Sequence, residues 1–298
     1  MSTLTGFISS GGGGGSNVND IKFTNNTASL ITTESDEVWL RGGVSETDLT
    51  TYPDATAGFA YTGTSFSVAN TRTAPTGMAW DGTHFWVIGP TSPERVAKYN
   101  AAGVYQNVFF DVGSQGADPM DIVWDGTHFW VINNAGPNKR VNKYSAAGVY
   151  QNVFWDYTTV TTMAGEGLAW DGTYFWVVGN NTDTIRKFNA AGVDQGVSYS
   201  VAAQETNPKG ITFDGTYLWV VGTASGKAHK YNTSGVYQNE SFAVNSQDTS
   251  TQGIVSIGTA LWTIGKTTDA AYKYEKQIGI VARDVSAGGE GHNYVRIK

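Results

Sequence analysis

Gly77-Met-Ala-Trp80-Asp81-Gly82-Thr83-His84-Phe85-Trp86-Val87-Ile88 sets two short apolar runs on either side of an Asp-Gly pair. Asp-Gly between apolar runs is a strong hairpin signal, because a type I′ turn needs positive φ at both central residues. The second run is apolar at successive positions, as expected of a strand covered on both faces. Arg95-Val-Ala-Lys-Tyr99 reads as a third strand, Ala101-Ala-Gly103 as a turn, and Val104-Tyr-Gln-Asn-Val-Phe-Phe110 as a fourth.

The unit recurs. Asp121 to Tyr157 repeats it with Trp124-Asp-Gly-Thr127 and Val149-Tyr-Gln-Asn152. Gly167 to Ser200 carries Trp170-Asp-Gly-Thr173, and Gly210 to Val244 carries Phe213-Asp-Gly-Thr216 and Val236-Tyr-Gln-Asn239. Gly253 to Tyr274 is degenerate, with Ile257 where the turn Asp belongs. An earlier copy is fainter: Ser29 to Gly42 aligns with the first two strands and Ala57-Gly58-Phe59 with the turn before the fourth. Trp39, Trp86, Trp130, Trp176, Trp219 and Trp262 mark these copies, at separations of 47, 44, 46, 43 and 43 residues. A period in the mid-forties with four strands per repeat predicts a β-propeller, each blade burying its faces against its neighbours. The expected fold is all-β, a six-bladed β-propeller over 29–282 with short β or extended arms. Residues 1–28 would form an N-terminal attachment arm whose Gly11–Gly15 run is a flexible joint, and 283–298 a C-terminal arm. Ile278–Ala282 is the candidate outer strand of the sixth blade.

The pattern Pro-x-Gly-apolar-Ala-x-Asp-Gly, then Trp-Val, then Arg-Val-x-Lys-Tyr, resembles NHL-type and related six-bladed propellers. That resemblance implies that the Gly-containing strand is innermost. The short Asp-Gly-Thr and Ala-Ala-Gly turns would then share one face. The other face would gather the loops 89–94, 133–139, 179–183 and 223–226 and the links between blades. One face is nearly the same in every blade and the other differs in each, so a specific ligand is expected on the variable one.

Composition narrows the function. A net charge of −7 and pI near 5.0 argue against a nucleic-acid partner. The absence of cysteine excludes thiol chemistry, disulfides and Cys-based zinc sites. The opening Met1-Ser-Thr-Leu-Thr-Gly-Phe-Ile does not read as a secretion signal, and no stretch reaches the length of a membrane span.

Asp81, Asp125, Asp171 and Asp214 each precede Gly and read as turn formers rather than a ring of catalytic carboxylates. Nine of the ten tryptophans occupy repeat positions and read as core. Trp155, on an outer strand near Tyr157, stands off the pattern; it could stack on a sugar ring, although edge packing is the plainer account. His84 and His128 share a position held elsewhere by Tyr174 and Tyr217, so packing is expected of them. Lys98, Lys143, Lys187, Lys230 and Lys273 read as a solvated strand face. The mouth of a central channel would be lined by Thr76, Met120, Glu166, Lys209 and Gln252. Asp121 replaces the Gly that opens the innermost strand elsewhere, so Asp121 and Glu166 could form the carboxylate pair of a glycoside hydrolase; a polar channel lined without such a purpose is the plainer alternative. The candidate binding set comprises Asn133, Asn134, Arg140, Trp155 and Tyr157, with Asn180, Asn181, Asp121, Glu166 and Lys209. No metal or cofactor is expected, since no metal-spaced cluster or phosphate loop is present.

Glu37-Val-Trp-Leu-Arg-Gly-Gly with Glu46-Thr-Asp and Tyr52-Pro-Asp-Ala55 resembles a sequence recurrent in bacteriophage tail-fibre and other virion proteins. The opening Leu4-Thr-Gly-Phe-Ile-Ser-Ser-Gly and the ending Gln277-Ile-Gly-Ile-Val-Ala-Arg-Asp are similar to segments of phage structural proteins. The resemblance implies a tail- or fibre-associated adhesin, not an enzyme, that is part of the virion. It would bind a host surface glycan or receptor through the loop-rich face, contact other virion proteins through its arms, and be present as a homo-oligomer or in multiple copies, without nucleic-acid contact or membrane insertion. The rivals are a purely structural decoration or baseplate component, a polysaccharide hydrolase or lyase, and a bacterial surface propeller.

Overall fold

A computed structural model describes residues 58–134, 139–159 and 162–277 in full, and the backbone of six short strands outside them. Contact within the chain divides it into two units, Phe59–Lys276 and the pair of flanking segments Met1–Gly58 and Gln277–Lys298. The larger unit is an all-β propeller of five four-stranded blades. Blade one consists of Gly77–Trp80, His84–Gly89, Arg95–Asn100 and Tyr105–Asp111 in antiparallel succession. Blades two, three and four begin at Pro119–Trp124, Gly165–Trp170 and Pro208–Phe213 and repeat that order.

Blade five takes three strands from its own repeat, Thr251–Ile257, Ala260–Gly265 and Ala270–Lys276. Its outer strand is Phe59–Ser67, paired with Ala270–Lys276 from Ser67↔Ala270 to Phe59↔Lys276. The ring is therefore closed from its N-terminal side, which covers the edge of Ala270–Lys276 at the seam. This corrects the expectation of six blades over 29–282. The segment that aligns with the fourth strand of the faint first copy belongs to blade five. The first two strands of that copy, Ser29–Thr32 and Val38–Arg41, pair instead in a sheet with His292–Ile297 and Ser286–Gly288. Leu4–Gly6 pairs with Ile21–Phe23 within the expected N-terminal arm. Gly11–Gly15 and Ile278–Ala282 lie outside the described residues.

The first strands contact one another in cyclic order, the fifth closing on the first, so the Gly-bearing strand is innermost. One apolar cluster fills each of the five junctions between blades. Each second strand carries its tryptophan into such a cluster, and burying a large apolar side chain stabilises the fold by about 3 kcal/mol.

The repeated Asp serves that tryptophan. In blade one, Asp81 Oδ1 accepts the amides of Thr83 and His84, while Oδ2 accepts the indole N–H of Trp86 at 2.7 Å. Asp125–Trp130, Asp171–Trp176 and Asp214–Trp219 repeat the indole bond at 2.6–2.7 Å. The lysines expected to form a solvated face lie over these indoles, Lys98, Lys143, Lys187 and Lys230 standing 5.1–5.4 Å from the ring centres. In the outer strands, Asn107, Asn152 and Asn239 adopt positive φ at a register shift. Asn tolerates that conformation better than most residues, and Gly196 takes the same place in blade three.

Candidate functional site

The axis of the ring is built by close approach. A Cβ on Gly167 would stand 2.8 Å from the carbonyl oxygen of Lys209, and one on Gly210 2.8 Å from that of Gln252. Glycine at these positions lets the inner strands approach so closely. Asp121 stands in this ring in place of a glycine, 1% exposed, with its carboxylate on the side of Gly77. Oδ1 accepts the amide of Ile122 at 2.8 Å and Oδ2 that of Leu168 at 2.9 Å, and the amide of Met78 also donates to the group. Burial pushes its pKa well above the usual carboxylate range, outweighing the three amide donors that favour the anion.

Glu166 stands one residue before the next glycine of this ring. Its Oε2 accepts Lys209 Nζ at 3.1 Å, and the two side chains are 5% and 16% exposed. Burial raises the Glu166 pKa, and Lys209 offsets part of that effect. Thr76 donates to the carbonyl of Pro119 at 2.9 Å, and Gln252 Nε2 to Ser250 Oγ at 2.9 Å. The channel mouth thus holds its polar groups in contacts within the protein, Glu166 with Lys209 and the other two with residues in or beside the inner strands. At the other end of the axis the inner strands enclose a cavity of about 110 Å³.

The rest of the candidate set is not gathered there. Trp155 is buried against Phe188 and Phe175, at ring-centre distances of 5.0 and 5.6 Å. It lies on the repeat pattern after all: Phe66, Phe110, Trp155 and Tyr199 each rest on a turn glycine of a neighbouring blade, Gly103, Gly148, Gly192 and Gly235. Gly192 has φ of +78°, and a Cβ there would overlap the Trp155 ring. Tyr157 is also core; its hydroxyl donates to the carbonyl of Asn133 at 2.8 Å, and burial raises its pKa. Sugar stacking by Trp155 and Tyr157 is therefore set aside, because neither ring faces solvent. Asn133 is fully buried, and neither atom of its amide group has a hydrogen-bond partner. Arg140 pairs with Asp156 at 2.7 Å and lies over Phe154 on the blade rim. On the loop-rich face, Asn181 accepts the amide of Ala164 and donates to the carbonyl of Thr162, while the Asn180 amide donates to the carbonyl of Ala164. The Asn134 amide bonds the carbonyl of Asp118 in the same way.

Sequence reasoning missed a set of buried anchors on the links between blades. Glu205 accepts the amides of Asn207, Ala224 and Ser225 and the Ser225 hydroxyl, the last at 2.6 Å. Asp248 does the same for Ser250 and Thr268 one blade on, and Arg72 donates to the carbonyls of Thr91 and Pro93 in blade one. All three stand four residues after a buried valine (Val68, Val201 or Val244), and that spacing was the available signal. Ser225 Oγ also lies 2.9 Å from Nε2 of His229, whose Nδ1 has no partner and whose pKa burial lowers. A nucleophilic triad would need the carboxylate on the histidine; here it holds the serine, as Asp248 holds Thr268. Among the described residues no group of three or more His, Asp or Glu is placed to hold a metal ion, and no helix is long and apolar enough to cross a membrane.

No protein-family model matches the chain, and no curated protein sequence matches it. Among solved structures it is similar to glutaminyl cyclase of Myxococcus xanthus, at 10% identity over 73% of this chain and 95% of that one, TM-score 0.59. It also matches a chain in a nidogen–laminin complex at 15% identity, 67% and 75% coverage and TM-score 0.48. Virginiamycin B lyase of Staphylococcus aureus matches at 15% identity, 86% and 84% coverage and TM-score 0.45. At such identities the likeness is one of fold, the propeller.

Proposed function

We propose that this protein is a non-catalytic binding propeller of a virus particle, a tail- or fibre-associated adhesin that meets a host surface glycan or receptor through its loop-rich face. The observation that supports binding over catalysis is the state of the axial acids. Asp121 is closed off and held by three amides, and Glu166 is tied to Lys209. Neither is free to act as the acid or base that glycoside cleavage requires. The virion assignment rests on the resemblance of the terminal sequences. Weak contacts in separate blades gain strength when copies are arrayed.

The rim of blades one and two favours a second reading, a virion part that contacts only other proteins. Phe109 and Phe154 are exposed there under Arg95 and Arg140, each guanidinium 4.0 Å from its ring, beside exposed Val108 and Val153. Arg and aromatic side chains are enriched in protein interfaces.

The test is binding of the full chain to a glycan array and to candidate host cells, with every hit assayed for chain cleavage. Saturable binding without cleavage is expected. Product release that disappears in Glu166→Gln or Asp121→Asn would overturn the non-catalytic reading. Binding to purified virion proteins and to no glycan or cell would favour the rim instead.

A further inference from the structure

On the face that carries the Asp-Gly-Thr turns, four of the five junctions between blades are sealed alike. The inner strand of the following blade ends in a large ring, Trp80, Trp124, Trp170 or Phe213, packed against the apolar cluster of that junction. Trp80 meets Phe85 at 4.7 Å, Trp124 meets Phe129 at 4.6 Å, and Trp170 meets Phe175 at 4.5 Å. Between blades four and five this position holds Ser256.

Two further departures fall at the same junction. Blade five has no turn before its outer strand, since that strand comes from elsewhere in the chain. Phe59 stands where the other blades place a turn glycine, 5.0 Å from Phe242 and 5.2 Å from Trp219. In the outer strand of blade four, Glu240 occupies the position of Val108, Val153 and Val197. Its Oε2 accepts Lys230 Nζ at 2.8 Å, and its Oε1 has no hydrogen-bond partner. The result is a cavity of about 350 Å³ with partly exposed Phe59 as its apolar wall, Trp219 and Leu261 buried beneath it, and Thr216, Thr259 and Glu240 among its polar groups.

The chemistry of this lining selects a class of ligand. Lys230 and Lys276 balance Asp214 and Glu240, so neither an anion nor a cation is favoured. The Phe59 ring, edged by the Thr216 and Thr259 hydroxyls and the Lys230–Glu240 pair, suits a ring with C–H faces and a hydroxyl rim. The volume lies at the lower end of the range for small-ligand pockets. We propose that the junction between blades four and five is a binding site for a single neutral pyranose unit. It lies on the face opposite the loops and stands independently of the loop-face adhesin reading.

The test is saturation-transfer NMR on the full chain with the methyl glycosides of glucose, galactose, mannose, N-acetylglucosamine and N-acetylgalactosamine. Saturable binding of at least one is expected. Ser256→Trp, which restores the ring found in three other blades, should weaken it by at least about tenfold. Glu240→Gln and Phe59→Leu should weaken it by smaller factors, and they serve if Ser256→Trp fails to fold. Asn181→Ala, on the loop face, should leave it unchanged. No saturable binding of any glycoside would overturn the proposal, as would affinity left intact by the three junction variants. Binding lost in Asn181→Ala alone would place the sugar on the loop face, overturning this site and leaving the adhesin reading intact.

Discussion

Trp155 and Asp121 show how one side chain changes meaning with its surroundings. Truncating a buried aromatic costs about 3–5 kcal/mol, so Trp155→Ala should lower the denaturant midpoint severely. Trp155→Phe and Trp155→Tyr should cost far less, because Phe110 and Tyr199 fill the same place elsewhere in the ring; urea unfolding monitored by circular dichroism measures both. Asp121 carries a pH signature. Its folded pKa is raised above the unfolded value, so the group contributes most to stability below the unfolded carboxylate pKa. That contribution is lost as pH rises toward the folded pKa. Asp121→Gly, the residue four blades use, should therefore gain stability relative to the parent as pH rises from acid to neutral. Melting temperatures of both proteins across that range check the sign. The turn role of Asp81 and its repeats was legible in the sequence, since Asp-Gly is a local signal. The indole bond was not, because it depends on the carboxylate reaching across the hairpin to Trp86.

At the scale of elements, the strands follow period and punctuation closely, whereas the links between blades do not. Strand limits follow from turn residues a few positions away. The anchors Arg72, Glu205 and Asp248 act on loops that lie far along the sequence, with Ser225 20 residues from Glu205 and Thr268 20 from Asp248. The channel mouth was legible as a register position, and the pairing within it was not: the sequence allows a carboxylate pair of Glu166 with Asp121 or a channel lined without such a purpose, and Glu166 is tied instead to Lys209 on the next inner strand. Removing one partner of a buried pair leaves an uncompensated charge, which costs about 3–5 kcal/mol when burial is complete and less here, where Lys209 is partly exposed. Glu166→Gln should thus destabilise the ring more than the double variant Glu166→Gln with Lys209→Met, and a double-mutant cycle of chemical unfolding gives the difference.

For the whole molecule, the repeat revealed the architecture and overcounted the blades. The Val38-Trp39 pair imitates the second strand of a blade, yet that strand sits in the sheet with His292–Ile297. No local feature distinguishes the two settings; what decides is the partner strand, which comes from the far end of the chain rather than from the next turn. A chain of residues 58–277 should melt as one cooperative, monomeric unit. Residues 68–277 lack the closing strand, leave Ala270–Lys276 bare, and should aggregate; size-exclusion chromatography separates these outcomes.

That closure also orders events in time. Thr62 binds the carbonyl of Lys273 across 211 residues, so the strand that leaves the ribosome before the rest of the ring must wait until nearly the whole wheel has been synthesised. Contacts so distant in sequence form slowly, and an unpaired strand held open meanwhile is exposed to wrong partners. Phe59–Ser67 is only partly apolar, with Thr62, Gly63, Thr64 and Ser65 at its centre. A polar middle makes the waiting strand a poor nucleus for aggregation, so the composition that weakens it as a strand protects the protein while it is being made.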